Sequence, residues 1–132
     1  MNKLFLLFFF ISFHKLVPPS VVLEAFKQKF PSATQIKWSK ENTHEYEADF
    51  KMNNISYSAN FNDKGLWLET ESPIGLELLP EPVKKSINPK DKVNHVYKID
   101  RADGSINFEI EIRNGTKTVE KIFDQDGTLI RS

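Results

Sequence analysis

At 132 residues, the chain is long enough for one compact unit, or for two very small units that share a core. Its 18 basic and 18 acidic residues balance, so it lacks the excess of positive charge typical of nucleic-acid-binding proteins. Because cysteine is absent, disulfides, a thiol nucleophile and a thiolate metal site are all excluded.

The first residues predict a secretory signal. Lys3 supplies one positive charge, and an almost wholly apolar run follows at residues 4–13. A membrane-spanning helix needs about 20 apolar residues, and His14 ends this run too early. We therefore expect a signal peptide over residues 1–18, a periplasmic or secreted mature protein, and no stable membrane insertion after signal removal. The alternatives are a buried N-terminal segment and an uncleaved anchor.

The next segment predicts a helix followed by strands. Val22, Phe26 and Phe30 recur every four residues, which is typical of an amphipathic helix over about residues 19–30. Three stretches, at residues 35–39, 45–50 and 56–61, then alternate apolar and polar side chains. Alternation with period two indicates an antiparallel sheet that has one apolar and one polar face.

The second half repeats this pattern at an offset of about 62 positions. Residues 46–50 align without a gap on residues 108–112, and residues 61–65 align on residues 123–127. Turn glycines, core aromatic residues and strand alternation therefore fall in one register, which favours an internal duplication. Asn114-Gly115 predicts a type I′ hairpin turn. A weaker helix is expected around residues 81–87, and residues 71–78 are interpreted as an extended linker.

These patterns together predict an α+β fold with two tandem repeats. Each repeat is expected to be a helix packed on an antiparallel sheet of about four strands. The expected boundaries are residues 19–72 for the first repeat and 73–132 for the second.

The first unit resembles the repeat of the PepSY-like, beta-lactamase-inhibitor-like family of exported bacterial proteins. The resemblance covers nearly all of the mature chain and is looser in the second unit. It rests on these motifs: Val17-Pro18, Ala25-Phe26, Lys29-Phe30-Pro31, Ile36-Lys37-Trp38, Tyr46-Glu47-Ala48-Asp49-Phe50, Phe61-Asn62-Asp63-Lys64-Gly65-Leu66, Ser72-Pro73-Ile74-Gly75-Leu76 and Leu79-Pro80. The resemblance implies a helix laid across an antiparallel sheet in each repeat, export, no known catalytic residue, and a role in binding or restraining other proteins.

Catalytic and metal sites find little support in the sequence. His44 and His95 are expected at strand starts, where an imidazole is normally solvated. The run from Asp124 to Gly127 resembles the opening of a calcium loop but has no third acidic residue at the next alternate position. We therefore expect no enzyme activity, no cofactor and no metal; a hydrolase or a metal-binding protein is the less favoured alternative.

The candidate partner-binding residues are Trp67, Glu47 and Asp49. Trp67 lies between two leucines, so either the tryptophan or the leucines must point away from the core. Glu47 and Asp49, like Glu109 and Glu111, lie on the polar face of a strand, where carboxylates usually meet water or cross-strand lysines. We expect a non-catalytic binding module for another exported protein, acting as inhibitor or regulator of an enzyme. The alternative is a structural or envelope-associated protein without an enzyme target.

Overall fold

A computed structural model describes residues 15–132 of the chain. The expected signal peptide therefore falls almost entirely outside the described residues. Within these residues there are two helices and eight strands, with a 3₁₀ turn at Leu76–Leu78 between the halves. In chain order they are α1 (Ser20–Lys29), β1 (Thr34–Asn42), β2 (Glu45–Met52), β3 (Ile55–Asn62), β4 (Trp67–Pro73), α2 (Glu81–Ser86), β5 (Lys92–Arg101), β6 (Ile106–Asn114), β7 (Lys117–Asp124) and β8 (Leu129–Arg131).

The strands form one antiparallel sheet of eight, in the order β1 to β8. The α+β class is as predicted, but the two halves share this continuous sheet. The join is the pairing of β4 with β5, in which Glu71 lies opposite Ile99. The interpretation of residues 71–78 as a linker was wrong for residues 71–73, which belong to β4. Residues 69–72 read Glu-Thr-Glu-Ser, so this strand has no apolar alternation that would reveal it.

Both helices cover the same face of the sheet. The core under α1 contains Val22, Phe26 and Phe30 from the helix, packed on β2 and β3. The core under α2 is built around Val83 and the side chains that alternate along β5, β6 and β7. Because the side chains of each strand alternate between faces, the residues between these core positions point to the other face.

Phe26 is the centre of the first core. Its ring lies 5.0 Å from that of Phe50 and 5.2 Å from that of Trp38, centroid to centroid, in edge-to-face geometry. Phe30 and Phe61 complete the cluster at 5.3 and 6.0 Å. Aromatic pairs at these separations add to the free energy gained by burying their area.

The hairpin turns follow their side-chain chemistry. Asn53 and Asn54 both have positive φ, 51° and 62°, which is the type I′ pattern. The predicted type I′ turn at Asn114-Gly115 was wrong. There Asn114 pairs with Lys117, and of the two loop residues only Gly115 has positive φ, which is the type II′ pattern. The two loop residues are therefore Gly115 and Thr116, one position later than predicted, because a type II′ turn needs positive φ only at its first loop residue.

Corresponding turns in the two halves have the same hydrogen bonds. Asn62 Oδ1 accepts from the amides of Lys64 and Leu66, and Asp124 Oδ1 accepts from those of Asp126 and Thr128. The calcium-like run at residues 124–127 is thus a turn whose first carboxylate caps its own backbone.

Gly127→Ala should destabilise the fold more than Gly104→Ala. Both glycines have φ above +80°, where a side chain costs about 1–2 kcal/mol. A Cβ at Gly104 would have no atom within 4 Å, whereas at Gly127 it would lie 2.3 Å from the carbonyl oxygen of Pro82 in α2. We expect a further loss of about 1–3 kcal/mol for Gly127→Ala, measured by urea unfolding, because α2 must move. Equal losses in the two variants would contradict this contact.

Candidate binding site on the uncovered sheet face

Cross-strand pairing places a row of polar side chains on the face that the helices leave uncovered. Directly opposed residues of neighbouring strands lie on the same face. Glu47 pairs with Asn60, Asn60 with Glu69, and Glu69 with Arg101. Neighbouring rows on this face contribute the remaining acids of the strands: Asp49 and Glu71, Glu109, and Glu111 with Glu120.

This face is concave. Strands are about 4.8 Å apart, so the edges of a flat eight-stranded sheet would be separated by about 30 Å or more. Here Glu41 of β1 and Arg131 of β8 line one small cavity together with Ile99 of β5. The sheet must therefore curl until its two edge strands approach each other across the uncovered face.

A second cavity of about 250 Å³, which we call the acidic cavity, lies on the same face. Its walls come from six strands, β2 to β7. The residues that line it are Glu47, Asp49, Ser56, Tyr57, Ser58, Glu71, Tyr97, Glu109, Glu111 and Glu120. Carboxylates thus dominate the lining, and neither a lysine nor an arginine is part of it.

Burial and mutual repulsion raise the pKa values of several carboxylates in this lining, most strongly those of Glu71, Glu47 and Glu109. Burial, followed by the charges of Glu109, Glu69 and Glu47, raises the pKa of Glu71 to about 8. Glu109 and Glu47 line the same cavity as Glu71, so their negative charges disfavour its ionised form.

Glu47 and Glu109 show the same effect in more buried positions. Burial, followed by the charge of Asp49, raises the pKa of Glu47 to about 7. Burial and the charge of Glu120 raise the pKa of Glu109 to about 7, although Arg131 acts in the opposite direction. Near neutral pH these acids therefore hold protons that ordinary surface carboxylates would have lost.

Glu109 carries an unsatisfied acceptor. Its side chain is only 6% exposed, and its Oε2 atom is buried without a hydrogen-bond partner among residues 15–132. A buried polar atom that lacks a partner costs about 1–3 kcal/mol, and more when the group is charged. The lining therefore contains an acceptor that a donor from outside the chain could satisfy.

In the small cavity beside the acidic cavity, arginines of the chain compensate the negative charge. Arg101 donates through Nη1 to Glu69 Oε2 and through Nε to Asn107 Oδ1, both at 2.5 Å. Arg131 lies in the same small cavity as Glu69. On this face, the carboxylate of Glu69 is thus already satisfied by a guanidinium group, that of Arg101.

The three candidate residues from the sequence do not share one surface. Glu47 and Asp49 lie on the concave face, with Asp49 exposed and Glu47 only 8% exposed. The expectation of solvated carboxylates was wrong for Glu47 and Glu109, because curvature of the sheet closes the face over them. The sequence analysis missed Glu71 and Tyr97. Alternation along β5 was a usable signal for Tyr97, but Glu71 lies in the strand that was taken for a linker.

Trp67 lies on the opposite face. It is half-buried, packs against the core under α1, and donates from Nε1 to Thr70 Oγ1 at 2.9 Å. Lys29 Nζ lies 3.7 Å from the centre of its ring, a cation–π contact that covers the outer side of the indole. Leu66 is the more exposed of its neighbours.

The histidines and the acidic turn do not assemble a site. His44 is exposed and pairs through Nδ1 with Asp63 Oδ2 at 3.0 Å, and His95 is also exposed. Within the described part of the chain, no group of three metal-ligating side chains lies close enough to hold a metal ion. None of the helices within residues 15–132 is long and apolar enough to cross a membrane.

Several solved structures are similar to this fold. A BLIP-like protein from Bacteroides fragilis matches with 25% identity and a TM-score of 0.69, over 88% of this chain and 85% of that one. A protein described as "putative periplasmic" from Bacteroides eggerthii matches with 21% identity and a TM-score of 0.77, over 87% of each chain. A DUF2874 family protein from Bacteroides ovatus matches with 23% identity and a TM-score of 0.73, over 87% of this chain and 86% of that one.

Sequence comparison gives the family. No curated protein matches the chain. The model of the family described as "Putative beta-lactamase-inhibitor-like, PepSY-like" matches residues 11–55 and again residues 44–131. These matches span nearly all of the sequence and agree with the motifs and the fold described above. The chain therefore belongs to the PepSY-like, beta-lactamase-inhibitor-like family.

Proposed function

We propose that this chain is an exported, non-catalytic binding module that inhibits or regulates a periplasmic or extracellular enzyme through the concave face of its sheet. The observation that carries the proposal is the buried, unpartnered Oε2 of Glu109 in the acidic cavity. A sequence that breaks the rule of satisfying buried polar groups usually does so at a functional site. The name of the BLIP-like neighbour adds support, as an analogy of fold.

The chemistry of the cavity favours binding over catalysis. Its lining offers carboxylates, the tyrosine Tyr97 and serines, and no histidine or lysine that could act as a base beside a serine. The closest His–Asp pair, His44 with Asp63, is exposed on turns. Glu47 and Asp49 belong to the proposed binding face, and Trp67 marks a second candidate surface on the helix side.

Export is supported by two observations. The first 13 residues have the charge and apolar run of a signal peptide, and one structural neighbour is described as a periplasmic protein. We propose a signal peptide over residues 1–18, followed by repeats at residues 19–72 and 73–132.

The two repeats are supported by equivalent contacts. In each half a turn glycine, Gly65 or Gly127, lies against the backbone of a helix, at Val21 or Pro82. In each half the turn's first side chain caps two amides of the same spacing. Duplication of one helix-plus-four-strand unit, followed by pairing of β4 with β5, accounts for both features.

The test is partner capture from the periplasmic fraction of the producing organism. The tagged mature chain should retain one protein saturably, and Glu71→Gln with Glu109→Gln should abolish retention without unfolding the chain. Glu24→Gln, an exposed change on α1, and Trp67→Phe on the helix side serve as controls and should retain the partner. Equal capture by all four proteins would contradict a concave-face site, and loss only with Trp67→Phe would move the site to the helix side.

A further inference from the structure

We propose that the acidic cavity receives one basic side chain of the partner protein, whose guanidinium or ammonium group donates to Glu109, Glu71 and Glu47. This inference rests on the proposed function and gives the chemistry of the contact. It follows from four properties of the cavity: an unsatisfied acceptor, excess negative charge, a small volume and one aromatic wall.

The acceptor requires a donor. Glu109 is only 6% exposed, and its Oε2 has no hydrogen-bond partner within the described residues. An anion would be repelled by the surrounding carboxylates, and a neutral apolar group would leave the oxygen unsatisfied. A cation that carries N–H groups satisfies the atom and compensates the charge together.

The charges that face Glu109 come from all the neighbouring strands. Negative side chains predominate in the cavity and at its rim, and the basic ones lie mainly at its edges. The acids are Glu41 and Glu47 with Asp49, Glu69 and Glu71, Glu111, and Glu120; the bases are Lys37, Arg101 and Arg131. Arg101 is already engaged with Glu69, and Arg131 lowers the pKa of Glu109 without bonding to Oε2.

The volume suits one side chain. Pockets for small molecules and cofactors usually measure about 300–1,000 Å³, and the acidic cavity measures about 250 Å³. Tyr97 lines it from the concave face, and an aromatic ring favours contact with cations and with the aliphatic stem of a lysine or arginine. The ring of Tyr57 is on the helix side, where it stacks on Phe50. No three metal-ligating groups among residues 15–132 are close enough together to hold a metal ion, whereas a guanidinium group has five N–H donors that can contact carboxylates farther apart.

Binding of this cation should depend on pH. A cation favours the ionised carboxylates, so it must displace the protons held by Glu71 and Glu109 near neutral pH. The affinity should rise with pH: it should be about tenfold lower at pH 6, where a group with a pKa near 7 is mostly protonated, than at pH 8, where Glu109 is ionised.

The experiment is an NMR titration of the full mature chain with the peptide acetyl-Gly-Arg-Gly-amide. The control peptide carries citrulline in place of arginine, which keeps the shape and removes the charge. We expect saturable shifts at the amides of Glu71, Tyr97 and Glu109 with the arginine peptide alone. Glu71→Gln with Glu109→Gln should remove them. Equal shifts with the citrulline peptide, or no pH dependence, would overturn the proposal.

A further titration distinguishes the source of the cation. Spermidine that binds the wild-type chain at least about tenfold more tightly than the arginine peptide would assign the cavity to a free amine and overturn the proposal. If the peptide does not bind while partner capture still requires Glu71 and Glu109, the inferred contact is wrong and the proposed function stands. If the peptide binds while capture is independent of both residues, the proposed function is wrong, and the use of the cavity for a partner falls with it.

Discussion

The double variant Glu71→Gln, Glu109→Gln should be more stable than the wild-type chain at pH 8, by about 2–4 kcal/mol in the free energy of unfolding. Folding forces both carboxylates out of water and into each other's field, which is why their pKa values rise to about 8 and about 7. Glutamine keeps the shape and removes the charge. The expected gain is less than the sum of the two single effects, because each variant also relieves its neighbour.

The sign of the pH dependence follows from the same shifts. Both acids have higher pKa values in the folded than in the unfolded chain, where the ordinary value is about 4.5. Below about pH 4.5 both states are protonated, and the groups do not weaken the fold. Between about pH 4.5 and 8 the unfolded chain releases protons that the folded chain retains, so the stability of the wild type falls as pH rises.

Urea unfolding followed by tryptophan fluorescence at pH 5 and pH 8 checks this prediction. The double variant and the wild type should differ by less than about 1 kcal/mol at pH 5 and separate as the pH rises. Glu24→Gln, an exposed change of the same kind, should follow the wild type at both pH values. A double variant that is less stable than the wild type at pH 8 would show that the carboxylates stabilise the fold.

Phe26→Ala should cost about 3–5 kcal/mol in the free energy of unfolding. Phe26 is 3% exposed, and its ring contacts Phe30, Phe50 and Trp38. Removing it leaves a cavity between α1 and the sheet and separates the remaining rings, which cannot collapse into the space without moving the helix. The near-ultraviolet circular dichroism of Trp38 should weaken in the same variant.

A matched control lies on the same helix. Val21 is 45% exposed, so Val21→Ala should change the free energy of unfolding by less than about 1 kcal/mol. Because β4 pairs with β5, we expect Phe26→Ala to lower the single unfolding transition of the whole sheet. Two separated transitions in this variant would indicate that the halves unfold independently.

The local pattern of the sequence was sufficient for most of the secondary structure. Helix α1 was predicted within one residue at each end, because Val22, Phe26 and Phe30 repeat with helical spacing. β2 and β6 were recognisable because an acidic residue separates each pair of apolar residues that face the core. In such strands the burial of one face alone determines the period.

The binding face could not be predicted, because it depends on curvature and on pairing between the halves. A strand pattern places Glu47 and Glu109 on the polar face but does not reveal that the sheet curls over that face. Glu71 enters the cavity only because β4 pairs with β5, and its own strand has no apolar alternation. The sequence also left open which face of the sheet Trp67 occupies, and a register shift beside Asn60 places it on the core side.

The order of the strands has a consequence for how the chain folds. Among the described strands, each hydrogen-bonds to its neighbours in the sequence, so forming the sheet closes short hairpin loops except at residues 74–91, the longer connection from β4 to β5 that contains α2. Proteins whose contacts are mostly local fold faster than β proteins that must join distant segments. We expect this chain to reach its native state quickly, strand by strand, without a disulfide to hold partly folded forms together.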